Sequence, residues 1–279
     1  VKNLHFEYSV EVRYSTEVTR YHYSIKCIPK DSERQKIVRF RYELLPESHT
    51  EWAQDSQGNS FIFGCTREAH SYFKYRISGD AECGFTDYEE VADENRMMVY
   101  RHFGKKTVPG ACIKALYEKV CAEQPGFERM SPLEKAEVLT GAIHGCFRYE
   151  KGCTGAETSA EEALALGCGV CQDYTHILIS LLCMAGCSAR YVNGMLIGEG
   201  ESHAWVEVAD EEKWYGIDPT NRVRVAGDHI RIGVGRDASE CSLVRGIIIG
   251  GGTQEQHISV SVSEISAGQQ LLMKGAMLG

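Results

Sequence analysis

The segment Gly167-Cys168-Gly169-Val170-Cys171-Gln172-Asp173-Tyr174 runs directly into an apolar stretch that closes at Ala185 and Gly186. Glycines ahead of a cysteine, followed by an unbroken helical pattern, predict a thiol in the first turn of a buried helix. There the unpaired backbone N–H groups and the positive end of the helix dipole favour thiolate over thiol. From about Cys171 to Ala185 the helix is apolar on nearly every side (Ile177, Leu178, Ile179, Leu181, Leu182, Met184), so other elements must enclose it. Gly186 supplies a stop. Strands are expected downstream at 189–196, 203–208, 213–217, 229–234 and 257–262. The expected fold class is therefore α+β, a buried helix against an antiparallel sheet.

Two further segments complete a chemical set. Ser202-His203-Ala204-Trp205-Val206-Glu207-Val208 opens one strand with an imidazole, and Trp214-Tyr215-Gly216-Ile217-Asp218-Pro219-Thr220 ends the next with a carboxylate. A cysteine nucleophile needs an imidazole beside it and a group that fixes the imidazole tautomer. About fifteen residues separate His203 from Asp218, which suits an antiparallel hairpin carrying both on one rim. The roles expected are Cys171 as nucleophile, His203 as base then acid, and Asp218 as orienter. The backbone N–H of Cys171 is a ready oxyanion donor. A second donor is open between the Gln172 side chain and a loop N–H. Trp205 is a candidate at the substrate site, although Trp205 and Trp214 also read as aromatics packed around the hairpin.

Other readings of the cysteines are weaker. Cys168-x-x-Cys171 with Cys183-x-x-x-Cys187 has a zinc-like look, but one helix from 171 to 183 would hold those sulfurs about 18 Å apart. Ligands about 2.3 Å from a single ion cannot span that, and no metal is expected. A thioredoxin-like dithiol at Cys168 and Cys171 leaves the His203 and Asp218 segments unexplained. Cys168 reads as a packing residue or as the partner of Cys171 in a reversible disulfide that silences the nucleophile. Asp173 and His176 follow Cys171 by two and five positions, off its helical face, and read as structural. So does His144.

The remainder bounds the answer. The chain has 279 residues, enough for two domains, with 43% hydrophobic and 25% charged residues, ordinary for a globular protein. A formal charge of −9 argues against nucleic acid or an anionic membrane as partner. The first residues lack an apolar signal core and no run reaches membrane-spanning length, so a cytoplasmic location is expected if residue 1 is the true start. Twelve cysteines are many. Cys112, Cys121, Cys146 and Cys183 lie among apolar neighbours, which suits buried thiols and a mostly reduced set. Residues 3–13, 21–28, 37–44, 61–63 and 70–77 alternate or cluster as short strands and suggest a small antiparallel sandwich without a catalytic set. A polar connection follows, from Asp87 to Arg101 through Glu89, Glu90 and Asp93. Helices are expected at 111–122, from Ser131-Pro132 towards Phe147, and from Ser159.

The motifs together resemble a known family. Gly169-Val170-Cys171-Gln172-Asp173-Tyr174-x-His176, Ala185-Gly186-x-x-Ala189-Arg190-Tyr191-Val192-x-Gly194, Ser202 to Val208, and Asp218-Pro219-Thr220-Asn221 are similar to the bacterial transglutaminase-like, papain-like core. His229-Ile230-Arg231, Val234-Gly235-Arg236-Asp237 and Val244-Arg245-Gly246 resemble the segments that follow the aspartate there. The first eighty residues look like the β-rich region that precedes it. The resemblance implies an N-terminal β-sandwich-like domain at 1–100 and a transglutaminase-like core at 101–279. It also implies a Cys171–His203–Asp218 triad, acyl-thioenzyme chemistry on a peptide or protein, and no required cofactor. Related bacterial proteins are often described as cysteine proteases, so amide hydrolysis leads. Transamidation of protein glutamine by the same triad, or a non-catalytic peptide-binding module, are the alternatives. Ala238-Ser239-Glu240-Cys241 departs from the pattern, which has an aromatic after Arg-Asp.

Overall fold

The computed structural model describes residues 1–91 and 94–266. Strand β1 (Lys2–Ile25) anchors the first sheet. Its buried side chains fall on even positions from Leu4 to Val18, then on odd positions at Tyr21, Tyr23 and Ile25. Period-2 alternation can change phase only where an extra residue enters the strand. The pairing register shifts there, between Arg13 and Val18 against one neighbour and between Val18 and Arg20 against another. What reads in sequence as two strands is thus one long strand with a bulged middle.

β2 (Gln35–Leu45), β3 (Thr50–Gln54), β4 (Ser60–Thr66) and β5 (His70–Cys83) follow. β5 pairs with the first half of β1 and β4 with the second half. Next come β6 (Tyr88–Glu90) and helix α1 (Glu94–Val99). Ala92 and Asp93 of the expected polar connection lie outside the described residues.

The helical layer is α2 (Ala111–Glu123), α3 (Pro132–His144), α4 (Ala160–Leu166) and α5 (Cys171–Met184). As expected, Ser131 caps α3 with Glu134 reaching back, and Pro132 occupies the first turn. Ser159 and Glu162 form the same box on α4. A short parallel pair, β7 (Arg148–Tyr149) and β8 (Cys168–Gly169), leads into α5.

β9 (Ala189–Leu196), β10 (Gly198–Gly200), β11 (His203–Asp210), β12 (Lys213–Asp218), β13 (Val223–Arg224) and β14 (His229–Gly235) come next. The second sheet has the order β13-β12-β11-β9-β14, with β6 added to β12. Every residue of α5 from Asp173 to Cys183 is buried, and the helix packs on β9, β11 and the other helices. Ala204, Val206, Val208 and Ile217 meet it in one apolar core. Met195, Ile230 and Ile232 join the core of the first sheet instead, so the second sheet is covered on both faces.

β15 (Val244–Gly250) and β16 (Gln254–Glu264) return to the first sheet and pair with β1, one along each half. Strands on the far side of the expected 100/101 boundary therefore complete the N-terminal sheet. That sheet has eight strands, larger than the small sandwich the short alternating runs suggest. Among the described residues no helix is long and apolar enough to cross a membrane.

Candidate active site

Gly169 sets the entry to α5. A Cβ there would lie 2.4 Å from Asp173 Oδ2, so only glycine admits the carboxylate that caps the helix. Asp173 Oδ2 accepts the Val170 N–H at 2.8 Å and the Thr154 hydroxyl at 2.6 Å. Burial pushes this carboxyl up, partly offset by those two bonds. Asp173 thus caps the start of the helix, a structural place for a residue whose spacing from Cys171 reads as structural. His176 is fully buried and accepts the Ala238 N–H on Nε2 at 3.1 Å; burial holds its basicity down to about 3, so it is a neutral structural ring. His144 bonds the Pro219 carbonyl at 2.6 Å and ties α3 to the loop after β12.

Cys171 is the first residue of α5, and its N–H precedes the intrahelical ladder. His203 opens β11 and Asp218 ends β12, and the two strands form an antiparallel hairpin in which Val206 faces Ile217. His203 Nε2–H donates to Asp218 Oδ2 at 2.7 Å, and the ring lines the same cleft as Cys171, close enough for the thiol to act on its basicity. Cys171 Sγ also lies 4.0 Å from the Ser202 carbonyl oxygen. The three side chains expected to act together are brought together. Burial lowers the basicity of His203, but its bond to Asp218 and the nearby Cys171 outweigh this and raise it to about 9. Burial likewise raises Asp218, yet the donors around it hold the carboxyl well below its usual range.

Those donors are more numerous than the sequence suggests. Asp218 is wholly buried. Its Oδ1 accepts the backbone N–H groups of Thr220 at 3.0 Å and Asn221 at 3.1 Å. Its Oδ2 accepts Asn221 Nδ2 at 2.7 Å and faces His229 Nε2 at 3.4 Å, besides His203. His203, Asp218 and His229 could in principle hold a cation between them. Their shared oxygen is already committed to three N–H donors, so the group is hydrogen-bonded as it stands. Asn221 stands three residues after Asp218, an Asx-type offset visible in sequence. His229 gave no such sign, because only the pairing of β14 beside β9 carries it to the carboxylate.

Cys171, Gln172, Asn193, Ser202 and His203 line a cleft of about 360 Å³, closed on other sides by Lys106, Ser239 and Arg245. Gln172 is thus at the cleft beside Cys171. Trp205 follows the packing reading and not the substrate-site one: it is 1% exposed, and its ring crosses Gly194, where a Cβ would come within 2.2 Å. It meets His229 edge-on at 5.2 Å, behind the hairpin rim and away from the cleft lining. Neighbouring side chains on strands alternate faces, so Trp205 and Ala204 cannot both front α5.

The cysteines also differ from expectation. Cys168 is bonded to Cys153, fifteen residues earlier, so it is neither a free packing thiol nor the disulfide partner of Cys171. Cys171 is among ten free thiols. Of the four expected to be buried, Cys183 is, Cys112 and Cys121 are half-buried, and Cys146 is exposed.

Residues 125–219 match the transglutaminase-like superfamily, a span that ends one residue past Asp218. Residues 4–82 match the bacterial transglutaminase-like N-terminal region. An uncharacterised Mycobacterium leprae protein is 35% identical over 271 residues, covering 91% of this chain and 95% of its own. An uncharacterised Mycobacterium tuberculosis protein is 35% identical over 141 residues, 44% of this chain and 45% of its own. The crystal structure of a proposed cysteine protease from Cytophaga hutchinsonii shares the fold, with a TM-score of 0.76 at 17% identity over 95% of this chain and 91% of that one. The chain belongs to the bacterial transglutaminase-like superfamily, its N-terminal region included.

Proposed function

We propose that the chain is a thiol-dependent acyl-transfer enzyme that cleaves amide bonds of a peptide or protein, with Cys171, His203 and Asp218 as its triad. One observation carries the reading: His203, bonded to Asp218 at 2.7 Å, lines the same cleft as Cys171, which stands at a free helix start. His203 takes the thiol proton, and Sγ forms a bond to the carbonyl carbon of the substrate. The resulting oxyanion is met by the Cys171 N–H, with Gln172 beside it in the cleft. The C–N bond breaks, and His203 passes its proton to the leaving amine. His203 then removes a proton from water, which attacks the thioester and releases the acid with Sγ as leaving group. Asp218 keeps the imidazole oriented and stabilises its charged form. The buried helix against an antiparallel hairpin supports a papain-like arrangement of these groups.

The test begins with chemistry that needs no known substrate. Iodoacetamide should label Cys171 ahead of the other free thiols, labelling should vanish in Cys171→Ala, and it should slow in His203→Ala. Equal labelling of all accessible thiols would sink the proposal. Screening peptide libraries with and without a primary amine then separates the acceptors: free acid products support hydrolysis, and amine-dependent products would replace it with transamidation.

A further inference from the structure

Behind the triad lies a cavity of about 10 Å³, between the hairpin and the N-terminal region. Among the residues lining it are Arg34, Glu89, Trp205 and His229. Each is less than a tenth exposed, and each has a buried polar atom without a hydrogen-bond partner: Arg34 Nη1, Glu89 Oε1, Trp205 Nε1 and His229 Nδ1. Buried polar groups seldom go unpaired, and four at one small cavity need a common explanation. The volume suits one water molecule, which requires two to four polar partners.

The donor and acceptor count closes. His229 that donates from Nε2 to Asp218 must be an acceptor at Nδ1 when neutral. Glu89 Oε1 is an acceptor, and Arg34 Nη1 and Trp205 Nε1 are donors. A single water can donate to the first two and accept from the other two. The charged groups facing His229 across this space are Arg34, Glu89, Glu207 and Arg231, with Asp218 on the opposite side. Glu89 and Glu207 are already engaged by Arg190 and Arg231. Arg34 is held by the Val225 carbonyl at 2.7 Å. With these partners already engaged, the water would hold one tautomer of His229.

We propose that His229 is a positioning residue for the triad, locked by a buried water that Arg34 of the N-terminal region and Glu89 of β6 help to hold. Its Nε2–H keeps the Asp218 carboxylate turned towards His203. The β-rich region would then support the site from behind without touching substrate. The inference rests on the triad reading proposed above.

The full chain with His229→Phe, His229→Gln and Glu89→Gln tests it, with iodoacetamide labelling of Cys171 followed by intact mass from pH 5 to 10. Thermal melting establishes that each variant is folded. Labelling of the wild type no faster than of His203→Ala would defeat the triad reading itself. If that control holds, His229→Phe should label about tenfold more slowly at pH 7.5, with its pH profile displaced, while His229→Gln, which keeps a donor, recovers most of the rate. Glu89→Gln should fall between. A folded His229→Phe protein with the wild-type profile would overturn the proposal. Should His229→Phe fail to fold, a His229→Gln profile identical to that of His229→Leu would do the same.

Discussion

Replacing Asp218 with asparagine removes a charge and reverses one hydrogen-bonding atom. The Oδ1 side can be kept, since an amide oxygen still accepts the Thr220 and Asn221 N–H groups. On the other side an NH₂, itself a donor, would face His203 Nε2, Asn221 Nδ2 and His229 Nε2, three donors that lose their acceptor. His203 can respond by accepting at Nε2, which places its proton on Nδ1 and leaves it unable to take one from Cys171. The wild-type ring is raised from 6.5 to about 9. That difference corresponds to about 3 kcal/mol of preference for the imidazolium, with Asp218 ahead of Cys171 among the partners that supply it. Loss of the larger share returns the ring towards its ordinary value; a ring brought all the way back to 6.5 would be about one-tenth charged at pH 7.5, where the wild-type ring is almost fully charged. An NMR titration of the His203 ring and the labelling rate of Cys171 measure the two consequences. The ring should titrate at about 9 in the wild type and at least a full unit lower in Asp218→Asn. A wild-type ring that titrates near 6.5, or equal labelling of both proteins, would refute the reasoning.

Stability should follow the same linkage. Because the folded value of His203 exceeds the unfolded one, its contribution is complete below pH 6.5 and is lost as pH rises through 9. Asp218 is shifted the other way, so its contribution is present above pH 3.8 and lost on acidification. Urea denaturation at pH 6 and pH 9.5 should show a larger drop for the wild type than for Asp218→Asn; equal drops would disprove the coupling. Gly169→Ala should cost about 1–3 kcal/mol in urea titrations, because the new methyl meets the Asp173 carboxylate that caps α5. Cys153→Ser should lower stability by about 3 kcal/mol relative to the oxidised wild type, and added reductant should abolish the difference in melting temperature. Glu207→Leu should destabilise by about 3–5 kcal/mol, since Arg34, Arg190 and Arg231 would be left with Glu89 alone to balance three buried positive charges.

Local pattern was enough for the parts of the site that are local. The glycines, the cysteine and the apolar run specify a thiol at a buried helix start. A hairpin between His203 and Asp218 follows from strand periodicity and spacing. Both depend on interactions a few residues apart, which sequence displays directly. Ser131-Pro132 and Ser159 mark helix starts for the same reason.

What only the tertiary structure decided depends on which distant strands become neighbours. β15 and β16 look like the end of the core in sequence, yet they pair with the two halves of β1, more than two hundred residues away. Cys168 finds Cys153, and His229 finds Asp218, because the backbone brings them within reach. Trp205 is turned away from the cleft by the alternation of a strand whose other face must cover α5. Periodicity tells each segment which side to bury, but not against what. That choice is made by the packing of whole sheets, where the energies of many long-range contacts are settled together.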